Sequence, residues 1–389
     1  RHVAHHRNLF QNLASHFAKD HTQHDESRSH ATAAAAQSRL ALHQLVRGDL
    51  VGADDALQAA DVAAAAMVAV SAKKFGGQHA TSAVESLVAA RCIRSYVTTG
   101  VLTEPLPAPL ASGAPELDTE RWLLGFVQAV RVLEGYAVRR AEQLDDAAVS
   151  DMLRAVHSAE QALTEFDFRN SELRKRYDGV KYTSKRLEEV QYEVRMALAR
   201  LALERSDAAP GAEPEGHEPA AKTRRLDADD DASRGIITVE LLDAMRDSYQ
   251  TFDALREECI KRCRAPQKSA KNAVHALQRG EFDRAGLLLK ESANELNMIH
   301  VEVVAKGPSL RGSGSFSGVV EELVEALLLQ GVLADGRLFS LEEVESRLGF
   351  AFPMTPEEYM GGVLDTTGEL VRIAVRAAGK RDRVRLLRC

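Results

Sequence analysis

Four carboxylates in the last third of the chain have spacings that could do chemistry. Glu322 and Glu325 are three residues apart, and Asp365 and Glu369 are four apart. In a helix either spacing puts both side chains on one face. Asp365 and Glu369 also interrupt an apolar segment holding Val363, Leu364, Leu370 and Val371. Acids on a packing face cost stability unless something cationic meets them. Four carboxylates from two adjacent helices suit a hard divalent ion such as Mg²⁺, which prefers oxygen ligands. One or two such ions would position a water and stabilise an in-line displacement at a phosphodiester. The plain alternative is a set of solvent-facing helix acids, and that reading is kept for the neighbouring Glu321, Glu343 and Glu358.

The elements that must carry these residues are helices. The chain has 389 residues, enough for about two domains. Aromatics are only 5% while Ala, Leu, Glu and Arg abound, a mix that loses little freedom in helices. Apolar positions recur at three and four residues over about 81–98, 119–142, 146–168 and 183–204. They do so again over 237–264, 267–279, 282–305, 316–332, 340–348 and 355–378. The expected fold class is all-α, with no run of 18 apolar residues that would span a membrane. Residues 205–235 are rich in Pro, Gly and acid and read as a disordered acidic linker. They hold eight acids against five basic residues, three of the seven net negative charges. The net charge therefore overstates how acidic the folded parts are. Within the linker, Lys222, Arg224 and Arg225 read as a solvated run or a weak nuclear-targeting patch.

The four cysteines (Cys92, Cys259, Cys263 and Cys389) read as reduced thiols, because no His/Cys pair completes a zinc set. Seven histidines, His2, His5, His6, His16, His21, His24 and His30, mark residues 1–30 as a solvated helical extension. A cytoplasmic or nuclear location, or both, is expected, and an organelle is left open because the chain starts at Arg1 and not at Met.

The two flanks of the linker repeat one another. LHQLVRGDLVGA (42–53) aligns without gaps on VHALQRGEFDRA (274–285), pairing Gly48 with Gly280. ESLVAA (85–90) lies over EELVEA (321–326), and WLLGFVQAVRVL (122–133) over YMGGVLDTTGEL (359–370). Three pieces in order with small drift point to a tandem duplication of one helical domain. The copies differ where it matters. Opposite Glu322, Glu325, Asp365 and Glu369 stand Ser86, Ala89, Gln128 and Val132. The second copy also has fewer residues after the last aligned piece.

Two segments carry a family resemblance. NSELRKRYDGVKYTSKRLEEVQYEV (170–194) resembles the C-terminal signature of translin. YMGGVLDTTGELVRIAV (359–375) resembles the matching segment of translin-associated factor X, and GVVEELVEAL (318–327) resembles that partner's acidic helix. The division that follows is an extension over 1–30, a translin-like domain over 31–204, the linker over 205–235 and a factor-X-like domain over 236–389. The resemblance implies subunits that assemble into a hollow barrel with others of the translin family, its own copies or a paralogue. It implies binding of single-stranded RNA, and of single-stranded DNA as well. It also implies an Mg²⁺-dependent endoribonuclease whose catalytic and metal-binding residues are Glu322, Glu325, Asp365 and Glu369.

Single strands are held by cations on phosphates and by stacking. The candidates in the first copy are Lys73, Lys74, His79, Arg91 and Arg94, and in the second Lys306 and Arg311. The latter two lie in or beside a Gly/Ser stretch, GPSLRGSGSFSG (307–318), which reads as an RNA-facing loop or a plain connector. Lys261, Arg262, Arg264, Lys268 and Lys271 read as solvated helix surface or a further basic patch. Arg174, Lys175, Arg176 and Lys181 sit in the translin-like signature, where Tyr177 and Tyr182 read as stacking on bases or packing between subunits. The alternative to a nuclease is a non-enzymatic RNA-binding or structural subunit of a larger ribonucleoprotein.

Overall fold

The computed structural model describes residues 2–70, 78–106, 115–169, 172–208 and 236–379. Lys73, Lys74, Cys389 and nearly all of the expected linker lie outside the described residues. Every regular element among the described residues is helical. In chain order these are α1 (His2–Arg47), α2 (Leu50–Val70), α3 (Gln78–Thr99), α4 (Pro115–Glu142), α5 (Asp146–Thr164), α6 (Glu172–Tyr177) and α7 (Val180–Ala208). They continue with α8 (Val239–Arg279), α9 (Phe282–Glu302), α10 (Gly314–Asp335), α11 (Leu341–Leu348) and α12 (Pro356–Gly379). Two short 3₁₀ turns, Val304–Lys306 and Pro308–Gly312, precede α10. No described helix is long and apolar enough to cross a membrane.

The chain divides into two compact units, Gln23–Gln250 and Arg1–Thr22 with Thr251–Cys389. These limits differ from the sequence division at residues 205–235, and the packing shows why. Residues 236–250 belong to the first unit: Leu102 N donates to Ile236 O at 2.7 Å, and Thr103 Oγ1 bonds Thr238 Oγ1 at 2.7 Å. Tyr249 packs on Phe168. Near the N-terminus, Leu13 is buried in the core of the other unit and His16 faces Glu357 at 3.8 Å. Part of the expected solvated extension is therefore packed, although His16, His21 and His24 remain exposed.

Each unit builds its centre from the same two devices. The first is a helix hairpin turned by a left-handed glycine, which bears no Cβ penalty there. Gly48 (φ 82) joins α1 to α2 and Gly280 (φ 84) joins α8 to α9. Around Gly48, Gly48 N bonds Leu45 O, Asp49 N bonds Gln44 O and Ala53 N bonds Asp49 O. Around Gly280 the same three bonds run from Gly280, Glu281 and Ala285 to Leu277, Ala276 and Glu281. The second device is a close helix crossing. A Cβ on Gly125 of α4 would stand 2.5 Å from Val88 of α3, and one on Gly362 of α12 would stand 2.5 Å from Val324 of α10. These crossings, α3 with α4 and α10 with α12, are the most extensive helix pairings among the described residues. A large aromatic next to each crossing is buried and bonded to a carbonyl. Trp122 Nε1 donates to Glu104 O at 2.7 Å, and Tyr359 OH donates to Phe339 O at 2.8 Å.

Two expectations are corrected here. A helix break is expected near Pro266, yet α8 is continuous through it. Proline removes one N–H from the ladder, and α9 packs against the helix at this point, with Ser292 Oγ donating to Pro266 O at 2.8 Å. The Gly/Ser stretch 307–318 is not an open loop. Pro308–Gly312 forms a 3₁₀ turn, Ser313 caps α10 by accepting from Phe316 N, and the rest is helix.

Candidate active site

Helix α10 is apolar nearly all round, burying Val319, Val320, Leu323, Val324, Leu327 and Leu328, as a central helix must. Glu325 is placed among them at 8% exposure. Helix α12 crosses it at Gly362, one turn before Asp365, and Thr366 Oγ1 reaches Glu325 O at 3.3 Å. The close approach brings all four sequence-predicted carboxylates to one pocket of about 410 Å³. Its walls are Glu322 and Glu325 of α10, Leu364, Asp365, Gly368, Glu369 and Arg372 of α12, and Lys271, Val274 and His275 of α8.

The four acids are not equivalent. Lys271 Nζ lies 3.1 Å from Glu322 Oε1. Glu369, 5% exposed, is held by Arg372 and by the amide of Gln278, which in turn accepts from Arg376 Nη1 at 2.8 Å. Asp365 is exposed. Glu325 makes no hydrogen bond or ion pair through its carboxylate to any described residue. Burial, then the charges of Glu322, Glu369 and Asp365, push its pKa up to about 7. A buried carboxylate without a donor, beside three others, is a place where a cation would be stabilised. The all-oxygen donor set fits Mg²⁺, which keeps several waters and needs only one or two carboxylates. No three Asp, Glu, His or Cys side chains among the described residues converge into a ready-made cage. A metal would thus meet acids on a pocket wall, two of them already paired.

Sequence reasoning missed the cations of this pocket. Lys271 reads as solvated surface, and Arg372 and Gln278 attract no notice. The available signals are Arg372 three residues after Glu369, and Lys271, His275 and Gln278 at helical spacing on α8.

The neighbouring acids divide differently from expectation. Glu358 is not solvated but 2% exposed, because Arg311 covers it, with Nη2 donating to Oε2 at 2.7 Å and to Pro353 O at 2.9 Å. Arg311 also lies over the rings of Phe316 and Phe352. Glu343 closes a capping box with Ser340 at the start of α11 and pairs with Arg337 at 2.9 Å. Glu321 is half-buried, and burial, with Glu358, Asp365 and Glu322 adding charge, raises its pKa.

The nucleic-acid candidates are scattered. Arg91 is bound between Asp61 at 2.6 Å and Glu104 at 2.8 Å, and Arg94 is paired with Asp54 at 2.9 Å. Arg311 is committed to Glu358. His79 and Lys306 are exposed. In the translin-like signature Arg176 pairs with Glu85, Tyr177 packs on Phe168, and Tyr182 is 65% exposed. Arg262 pairs with Glu302 and with Glu295 at 3.4 Å. Cys92, Cys259 and Cys263 are free and buried, with Cys259 and Cys263 Sγ 3.9 Å apart.

A search of curated proteins finds no match to the chain. Residues 254–388, the stretch that contains the whole pocket from Lys271 to Arg372, match the Translin family.

Proposed function

We propose that this protein binds single-stranded RNA, with single-stranded DNA as a further ligand, and cleaves RNA by a divalent-metal-dependent endonuclease site in residues 236–389. The Translin match supports the nucleic-acid reading and assembly with subunits of that family. The observation that carries the nuclease reading is Glu325, buried at 8% exposure without a protein partner among three further carboxylates. Glu322, Glu325, Asp365 and Glu369 would hold Mg²⁺. When bound there it supplies a Lewis acid and lowers the pKa of a coordinated water. The chain's own contribution is placement. The Gly362–Val324 crossing fixes the four acids on adjacent helices, and Gln278 orients Glu369. His79 and Lys306 are the exposed candidates for phosphate contacts, with Lys73 and Lys74 joining them as sequence candidates.

The two units are copies of one domain in this reading. Its support is the recurrence of the glycine hairpin, the glycine–valine crossing and the aromatic-to-carbonyl bond at aligned positions. The first copy has Ser86, Ala89, Gln128 and Val132 in place of the acids and serves binding alone. Exposed Tyr182, Tyr192, Met196 and Leu203, spaced along one face of α7, suit packing against another subunit.

A non-enzymatic RNA-binding subunit is the second reading, favoured by one observation: Lys271 and Arg372 already neutralise two of the four acids. Incubation of the full chain with labelled single-stranded RNA separates the two. Cleavage with Mg²⁺, none with EDTA, and loss of cleavage but not of binding in Asp365→Asn and Glu369→Gln support the nuclease. Stable binding without cleavage under any divalent ion supports the second reading, and undiminished cleavage by both variants removes the site assignment.

A further inference from the structure

We propose that Lys271 and Arg372 are the phosphate-binding residues of the acid pocket, held on Glu322 and Glu369 until a divalent cation takes those carboxylates. The inference rests on the nuclease reading above and adds how the site passes from closed to substrate-ready.

Three observations carry it. The first is position: both cations line the pocket that contains the partnerless Glu325, one from α8 and one from α12. The second is how loosely they are fixed. The Lys271 and Arg372 side chains are 55% and 67% exposed, whereas the side chains of their partners Glu322 and Glu369 are 21% and 7% exposed. Each is held through one carboxylate. The Lys271–Glu322 pair is of the kind that adds little stability, and Glu369 keeps the Gln278 amide when Arg372 leaves. Arg311 in the same unit shows what a structural cation looks like. Its side chain is 20% exposed, bonded twice to the buried Glu358, bonded to Pro353 O, and covered by two aromatic rings.

The third is charge. Four carboxylates against two cations leave the pocket negative, which repels a phosphodiester. A divalent ion drawn to Glu325 and to Glu322 or Glu369 would compete with the cation already there for the same oxygens, one ion or two sufficing for both. Once displaced, both side chains remain at the pocket mouth on long stems and carry their charge to the incoming strand. Arg372 offers a planar fork to two phosphate oxygens and Lys271 a point charge. Metal and single strand would then bind with positive coupling, because the first removes the charges that repel the second and frees the groups that hold it.

The test uses the full chain and Mn²⁺ alone, followed by its electron paramagnetic resonance signal, then a single-stranded oligonucleotide that cannot be cleaved. Lys271→Met and Arg372→Met each lose a competitor for the acids and should bind Mn²⁺ roughly two- to fivefold more tightly than wild type. In wild type, Mn²⁺ should tighten oligonucleotide binding, and both variants should lose that gain. Lys271→Arg should retain it, which a merely structural role for Lys271 would not require. Because both side chains are mostly exposed, circular dichroism should be unchanged. Wild type that binds Mn²⁺ through Asp365 and Glu325, with neither Met variant tighter, overturns this inference and leaves the nuclease reading standing. Wild type that binds no Mn²⁺ overturns both.

Discussion

Glu325→Gln should make the metal-free protein more stable, and only above a particular pH. Burial and the charges of Glu322, Glu369 and Asp365 lift the Glu325 pKa from 4.5 to about 7. An unfolded chain releases that proton near 4.5 and the folded one near 7. Between those values the folded state holds more protons, so its stability falls as pH rises, and the loss is complete above pH 7. At about 1.4 kcal/mol per pKa unit the full lift is worth about 3 kcal/mol. Solvent at the pocket mouth screens part of it, leaving an expected cost of about 1–3 kcal/mol. Gln keeps the shape and cannot ionise. In urea denaturation of the full chain with EDTA, the variant should match wild type near pH 4 and exceed it by about 1–3 kcal/mol near pH 8. Added Mg²⁺ should close the gap at the higher pH by stabilising wild type. A gap that does not change with pH, or a variant weaker than wild type near pH 8, would refute the claim that Glu325 is an uncompensated buried acid.

Two further perturbations probe the frame around the pocket. Gly362→Ala places a Cβ 2.5 Å from Val324 and 2.9 Å from Glu325 N. Overpacking of this kind costs about 1–3 kcal/mol, and by forcing α12 away from α10 it should weaken Mn²⁺ binding as well, read by the same urea and resonance measurements. Arg311→Met strands Glu358, 2% exposed, without its partner. Breaking a buried pair from one side costs about 3–5 kcal/mol, and Glu358→Gln in the same chain should recover part of it. A loss under about 1 kcal/mol would mean that Arg311 is not the anchor described.

The helical class was legible because apolar residues at three- and four-residue spacing need no tertiary information. The four acids were legible for the same reason, since i,i+3 and i,i+4 spacings already imply a shared face. What meets those acids was not. Lys271 is on α8 and its partner Glu322 on α10, and nothing local ties them. Arg311 and Glu358 are likewise brought together only by the fold, so Glu358 reads as surface acid and Arg311 as a free cation when each has buried the other. Pro266 misleads in the opposite direction. A local rule predicts a break, and a long-range bond from Ser292 belongs to the packing that carries the helix through. The unit limits fall at Thr22/Gln23 and Gln250/Thr251 because residues 236–250 find partners in Leu102, Thr103 and Phe168, which no composition shift announces.

The acid pocket can be weighed against a crossing that lacks it. In the first unit, Gly125 meets Val88 with the closeness that Gly362 has to Val324, and the flanking positions hold Ser86, Ala89, Gln128 and Val132. Ala89 is fully buried there, where Glu325 is buried in the second unit. That crossing keeps one buried acid, Glu85, met by Arg176, but none at these four positions, so packing is not what requires the four. They have the opposite effect, since an ionised Glu325 beside Glu322, Asp365 and Glu369 destabilises the metal-free fold as pH rises. Exposed ion pairs to Lys271 and Arg372 offset only a small part of that. A cluster that costs stability, sits in a pocket, and is met by cations with mostly exposed side chains is better explained by what would enter the pocket than by what surrounds it. On the proposed reading a divalent cation would remove the electrostatic cost, and a phosphodiester would give Lys271 and Arg372 a new partner.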